Sequence, residues 1–324
     1  MSEPLVIVAD IGGTNTRVAL ADGRKVRASS VARFSNAEFP SLEPVLRRYL
    51  ADAGLNGVDG VCVAAAGPVQ DGVAEMTNLS WVIDHPQLTR ATGASRVAIL
   101  NDLQAQGQAL GLIAAENLRP VLVGDAAPRG SMLVVGLGTG VNAAPVHDTP
   151  WGRIVPPSEC GHISLPIDTE EIWRLAKFVE THGPHAHGFA SVEDLQAGRG
   201  VEHLYAFVTK EATGVPVAKS SAEVMAELSA GGTHARNTAR LYTKILGSNL
   251  GNLALIHLPF GGIFLIGGMA RAFTPYLAEL GFAEAFRAKG RFHDFLKDFS
   301  VTTVEDDFAA LTGCANYLAN GGKG

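Results

Sequence analysis

Residues 10–15 read Asp10-Ile11-Gly12-Gly13-Thr14-Asn15. A β-branched run, Leu5-Val6-Ile7-Val8-Ala9, leads in, and Thr16-Arg17-Val18-Ala19-Leu20 leads out. Two strand-forming runs joined by a short glycine turn predict a β-hairpin. Paired glycines let backbone N–H groups approach an anion closely, and Thr14 and Asn15 add side-chain hydrogen bonds. A plain turn would account for Gly12-Gly13 alone. The Asp before it and the Thr-Asn after it favour phosphate binding. Asp10 is then a candidate Mg2+ ligand acting through water, because that ion keeps much of its hydration.

Working outward, strands are expected near residues 25–34, 60–66 and 96–100. Helices are expected over 41–53, with Ser41 as cap, and over 102–112. A comparable pattern then begins again. Met132-Leu133-Val134-Val135 enters Gly136-Leu137-Gly138-Thr139-Gly140, and residues 141–146 leave it as an alternating strand. Ile263-Phe264-Leu265-Ile266 later stops at Gly267-Gly268, as residues 62–66 stop at Gly67-Pro68. Strand, polar turn and strand at matching places predict an internal duplication within an α/β fold. Helices are expected between, over 170–180, 191–196, 222–229 and 235–258; a strand at 300–304 and a helix at 306–319 close the chain.

The second turn is neither a Walker A loop nor a dinucleotide fingerprint, since no Gly-Lys-Ser/Thr is present and a strand follows it. Its weight lies in repeating the first hairpin: two such turns facing each other can hold a polyphosphate. Gly267-Gly268 offers a flat backbone surface suited to a nucleoside, or else a routine strand-to-helix turn.

Asn101-Asp102 places a carboxylate where a strand meets a helix. Both types are favoured helix caps; functionally, Asp102 can take a hydroxyl proton as a phosphoryl group moves. Pro157-Ser158-Glu159-Cys160-Gly161-His162 joins an acid and an imidazole in one loop, good partners for sugar hydroxyls, which both donate and accept. A zinc site there lacks ligands, because no other cysteine is near Cys160. Glu193 opens a helix, where the dipole favours acids in any case. His182-Gly183-Pro184-His185-Ala186-His187 is expected to be a solvated turn, with no acid or cysteine beside it in sequence.

The 324 residues suit two domains, and 47% hydrophobic with 18% charged residues suits a packed globular protein. A net charge of −6 argues against nucleic acid, whose binding needs clustered positive charge. The basic cluster Arg24-Lys25-Val26-Arg27 is expected at a solvated edge. Three dispersed cysteines predict free thiols in a reducing compartment. With no leader-like start and no apolar stretch of about 20 residues, a cytoplasmic protein that avoids membranes is expected.

Together these residues resemble the bacterial glucokinase family of the sugar kinase, actin and heat-shock ATPase superfamily. The resemblance runs from Val6 to about Leu318. Asp10–Asn15, Ala65-Ala66-Gly67-Pro68-Val69, Met76-Thr77-Asn78, Asn101-Asp102, Gly136–Gly140, Glu159–His162, Val192-Glu193, Gly251-Asn252-Leu253-Ala254, Gly261–Gly268 and Lys289-Gly290-Arg291-Phe292 carry it. It implies two ribonuclease-H-like (actin-like ATPase) domains with a cleft between them, residues 1–107 plus 308–324 forming the smaller and 108–307 the larger. The terminal helix would return to the first domain.

By the same likeness, ATP with Mg2+ is the cofactor and D-glucose the substrate, phosphorylated at its 6-hydroxyl. Ala9, Asp10, Ile11, Gly12, Gly13, Thr14 and Asn15, with Gly138, Thr139 and Gly140, would hold phosphates, and Gly267 and Gly268 would flank adenosine. Asp102 would be the base; Asn78, Asn101, Glu159, His162 and Glu193 would grip the sugar. A homodimer is implied. The family usually has glycine where Cys160 stands; if that glycine serves a positive φ, cysteine should strain or reshape the loop. No cysteine-rich zinc motif is present. The alternatives are a kinase for fructose, mannose or glucosamine, a non-catalytic sugar sensor, and an assembling ATPase. The sensor would need a helix-turn-helix, yet a strand is expected from Leu5. The assembling ATPase has no use for the Asn-Asp and Glu…His sets.

Overall fold

The computed structural model describes residues 3–76, 79–183 and 186–321, in two compact units. The first comprises Met1–Ala115, Val146–Pro157 and Asp306–Gly324; the second comprises Glu116–Pro145 and Ser158–Glu305.

In the first unit, Leu5–Ile11 and Asn15–Asp22 form the expected hairpin, antiparallel from Leu5 opposite Asp22 to Ile11 opposite Thr16. Gly60–Ala65 pairs parallel with its first strand, and Arg96–Asn101 pairs parallel with Gly60–Ala65. Side chains alternate across the sheet. Ile7, Ala9, Ile11, Val61 and Val63 pack under the helix Leu42–Asp52. Val6, Val8, Cys62 and Ala64 pack under the helix Ala309–Ala319. Burial on both faces is why these strands are nearly continuous apolar runs.

The second unit repeats this plan. Met132–Leu137 enters the second glycine turn, Ile263–Ile266 pairs with it in parallel, and Val301–Val304 continues in parallel. Leu118–Leu122 then adds an antiparallel edge. The hairpin-plus-two-parallel-strands order thus occurs twice. Helices cover the second sheet, with the 25-residue helix Thr233–His257 packed against Gly198–Thr213 and Phe282–Arg287.

Several local expectations are corrected. The strand expected over 25–34 is two short strands, Lys25–Val26 and Ala32–Ser35, separated by the turn Ala28–Ser30. The Ser30 hydroxyl donates to Arg27 O at 2.6 Å and accepts from Leu20 N, a local alternative to the ladder that bends the chain. The helix expected to reach 112 ends at Ala109. Ser41 stands at its cap position without a side-chain cap bond. The helix Gly198–Thr213 was not expected, because it opens with Gly198-Arg199-Gly200. Interior glycine costs about 1 kcal/mol against alanine, which burial of Val201, Leu204, Tyr205 and Phe207 outweighs. The basic cluster is paired rather than only solvated, with Arg27 on Asp22 and Arg24 on Asn320.

The unit boundaries also differ from the expected division. Residues 108–115 and 146–157 lie in the first unit. The strand Val141–Thr149 turns back through Gly152–Ile154, and Gln104 and Gln108 donate to the carbonyls of Val155 and Arg153. Those bonds fasten the segment to the helix Asp102–Ala109. Among the described residues no helix is long and apolar enough to cross a membrane.

Candidate active site

The first glycine turn is closed by a bond from Gly12 N to Asn15 O at 3.0 Å. Its shape depends on Asn36, a residue the sequence did not single out. Asn36 is 2% exposed; its Nδ2 donates to Gly12 O at 2.8 Å, its Oδ1 accepts from Thr16 Oγ1 at 2.8 Å, and its N–H reaches Thr14 O. One buried amide therefore fixes the turn at three points, leaving Thr14 exposed at its tip. Ala9 and Ile11 are core residues with fully buried side chains. Asp10 lies on the opposite face of the strand, paired with Arg17 Nη1 at 3.3 Å. Burial pushes the Asp10 carboxyl up, and the Arg17 guanidinium opposes that shift. Behind it, Cys62 and Cys314 are buried free thiols lying side by side, and burial followed by the Cys62 neighbour pushes the Cys314 thiol up.

Of the two residues that could cap this helix, Asn101 does so. Asn101 is the cap: its Oδ1 accepts Gln104 N at 2.6 Å, and Gln104 Oε1 accepts Asn101 N at 3.1 Å, a complete capping box. Asn101 Oδ1 is thereby committed, and its amide NH2 is the group it can offer a ligand. Asp102 is the first helical residue, exposed, with Oδ1 accepting Leu103 N at 2.8 Å. The helix start does not depend on it for a cap.

In the second unit, Gly138 N donates to Gly140 O across the turn, Thr139 is exposed, and no heavy atom lies within 4 Å of where a Cβ on Gly138 would stand. Gly267 has φ +100°, and a Cβ there would meet Leu137 O at 2.3 Å. Only glycine brings the end of Ile263–Ile266 this close to the strand entering the turn. Gly268 opens the following helix with free space beside it.

The loop bearing Glu159 and His162 is built on Asn142, another residue the sequence passed over. Asn142 Nδ2 donates to Ser158 O, while its Oδ1 accepts from Ser158 Oγ at 2.8 Å and from Cys160 N at 3.3 Å. Glu159 and His162 are both exposed, at either end of the turn Cys160–His162, and His162 N donates to Glu159 O. The strain expected at Cys160 is absent. Among the described residues only Asp71 and Leu258 are non-glycine residues with positive φ. The residue that must be glycine is the next one: a Cβ on Gly161 would lie 2.0 Å from Val141 O. Cys160 is half-buried, and burial pushes its thiol up.

Glu193 is more than a helix-opening acid. Its Oε2 accepts Val141 N at 2.9 Å, and its Oε1 receives Arg199 Nη2 at 2.6 Å. It also lies against Gly140 and Gly161. Its carboxylate thus touches both the second glycine turn and the Glu159–His162 loop. Asn78 and His185 lie outside the described residues. His187 Nε2 stands 3.6 Å from Asp194 Oδ2, an acidic neighbour that the spacing of that turn did not show. Among the described residues no three His, Cys, Asp or Glu side chains converge to hold a metal. A single strand-end carboxylate, Asp10, suits an ion such as Mg2+ that is held mainly by water and substrate phosphates.

Comparison with known proteins identifies the family. The family profile described as Glucokinase matches residues 7–321. The chain is 32% identical to a glucokinase of Chromohalobacter salexigens over 321 residues, covering 99% of each chain. Among solved structures it is similar to a glucokinase from an Antarctic psychrotroph, with TM-score 0.86, 29% identity, and 98% and 99% of the two chains covered. It also shares the fold of a Streptomyces griseus glucokinase solved with glucose and AMPPNP, with TM-score 0.59, 18% identity, and 96% and 98% covered. The doubled hairpin-and-parallel-strand plan is that of the actin-like ATPases. The chain belongs to the glucokinase family and is a sugar kinase.

Proposed function

We propose that the protein transfers the γ-phosphoryl group of ATP to the 6-hydroxyl of D-glucose, with Asp102 as the base. The observation that carries the assignment is the division of labour at residues 101–102. Asn101 and Gln104 cap the helix, and the Asp102 carboxylate stands exposed at the first helical position, outside that capping box. A phosphoryl group crossing a loose transition state needs its acceptor oriented and its proton received, and one positioned carboxylate does both.

Asn101, Glu159, His162 and Glu193 supply the donors and acceptors for the remaining hydroxyls. The Gly12–Thr14 and Gly138–Gly140 turns serve the phosphates, and Gly267-Gly268 serves the nucleoside. Asp10 would hold Mg2+ through water; when bound, the ion neutralises charge on the phosphate oxygens. The glucokinase names of the relatives, and the glucose and AMPPNP held by the Streptomyces griseus protein, support sugar and donor alike. Unstrained Cys160 removes the reason to expect an altered sugar loop. Two buried free thiols fit a reducing cytosol, and a homodimer accords with the family.

A panel of hexoses assayed with ATP, ADP and polyphosphate by coupled product detection tests this. Glucose with ATP should give the highest kcat/KM; preference for another hexose or donor would replace the assignment. Glu159→Gln should raise the glucose KM by roughly tenfold, the scale of one charged hydrogen bond, with the ATP KM little changed. Unchanged glucose kinetics would remove Glu159 from the sugar site.

A further inference from the structure

Within the second unit, one salt bridge joins the elements assigned to the two substrates. Arg199 sits at the start of the helix Gly198–Thr213, with its Nη2 2.6 Å from Glu193 Oε1 and 3.5 Å from Asp194 Oδ1. Glu193 and Asp194 are consecutive acids, with side chains only 12% and 9% exposed. Two adjacent carboxylates so shielded repel each other unless a cation lies between them, and Arg199 is that cation. Asp194 is further secured by Ser191, whose N–H and hydroxyl both donate to its Oδ2. Among the described residues Glu193 is held by Arg199 and by Val141 N–H.

The surroundings make that support consequential. Val141 directly follows the Gly138–Gly140 turn, and Glu193 Oε2 would lie 2.7 Å from a Cβ on Gly140 and 3.4 Å from one on Gly161. Gly198, the residue before Arg199, donates its N–H to Gly138 O at 2.9 Å. Gly198 and Arg199 thus grip the glycine turn directly through a backbone bond and indirectly through Glu193.

We propose that Arg199 is a positioning residue that holds Glu193 as a strut between the nucleotide turn and the sugar loop, so that both substrates depend on one ion pair. This rests on the sugar and phosphate roles proposed above. Arg199 itself touches no substrate in this scheme; it acts through the carboxylate it orients. An arginine suits the task, since its charge is permanent and its Nη2 faces both carboxylates at once.

Arg199→Met removes the charge while keeping an apolar stem, on a side chain 41% exposed, so folding should survive. Glucose and ATP KM values should both rise, each by roughly threefold to tenfold. Arg199→Lys should recover part of both losses. In a double-mutant cycle with Glu193→Gln, the two changes should be strongly non-additive in kcat/KM. Amide hydrogen exchange at Val141, followed without any substrate, should quicken in Arg199→Met, because its acceptor is no longer pinned. Full additivity, or a KM change confined to one substrate, overturns the strut. So does unchanged Val141 exchange, which judges the strut separately from the kinase assignment. A wild-type enzyme inactive on every hexose would overturn the assignment instead, with Val141 exchange still deciding whether Arg199 holds the turn.

Discussion

Asp102→Asn is expected to bind glucose with near-wild-type affinity while its turnover falls by about a hundred- to ten-thousand-fold, the range a general base supplies. The substitution is nearly isosteric, and the capping box of Asn101 and Gln104 does not involve the changed atoms. Loss of a carboxylate from the first helical turn removes a favourable dipole interaction of about 0.3–1 kcal/mol, too little to unfold a domain. The amide can still accept Leu103 N, as Asp102 Oδ1 does now. What it cannot do is receive a proton from the sugar hydroxyl. Calorimetric glucose titration beside single-turnover phosphorylation separates the two effects. Retained turnover would return Asp102 to the role of a helix-start acid.

Gly161→Ala should be the most damaging single methyl group in the second unit's site. The new Cβ would stand 2.0 Å from Val141 O and 2.9 Å from Val141 C, and backbone cannot yield as the tip of a side chain can. Something must move, either the Glu159–His162 loop or the strand leaving the second glycine turn. Displacements near 1 Å in a positioning element cost on the order of a hundredfold in activity, and glucose kcat/KM should fall at least that far. The comparison that isolates the cause is Cys160→Gly. Since Cys160 has no positive φ to relieve and only a small, half-buried side chain to lose, that variant should keep glucose kcat/KM within about threefold, under about 1 kcal/mol. Similar losses in both variants would point to general loop sensitivity rather than the Gly161 clash.

The features legible in sequence were those written in local residue types. Both hairpins, the duplicated strand order and the glycine stop at Gly267 follow from β-branched runs and glycine placement, which act within a few residues. The missed features depend on partners distant in the chain. Asn36 reaches back 24 residues to Gly12, Asn142 reaches 16 ahead to Ser158, and Glu193 reaches 52 back to Val141. An isolated Asn in a strand or loop carries no periodicity that would announce such a contact. Glu193 read as an acid favoured by a helix start because its two hydrogen-bond partners lie in other elements. The grouping of residues 146–157 with the first unit is hidden for a related reason: the strand Val141–Thr149 is continuous, and nothing along its sequence marks where one unit gives way to the other.

The first unit is finished by its last helix, and this orders events during translation. The ribosome makes the strands carrying Val6, Val8, Cys62 and Ala64 early, yet Ala310, Leu311, Cys314 and Ala315, which cover them, emerge only after residue 305. Every residue of the second unit leaves the exit tunnel before that covering helix does. Until that helix emerges, one apolar face of the opening sheet lacks its cover, which makes the nascent chain a natural client for a chaperone that binds emerging polypeptide.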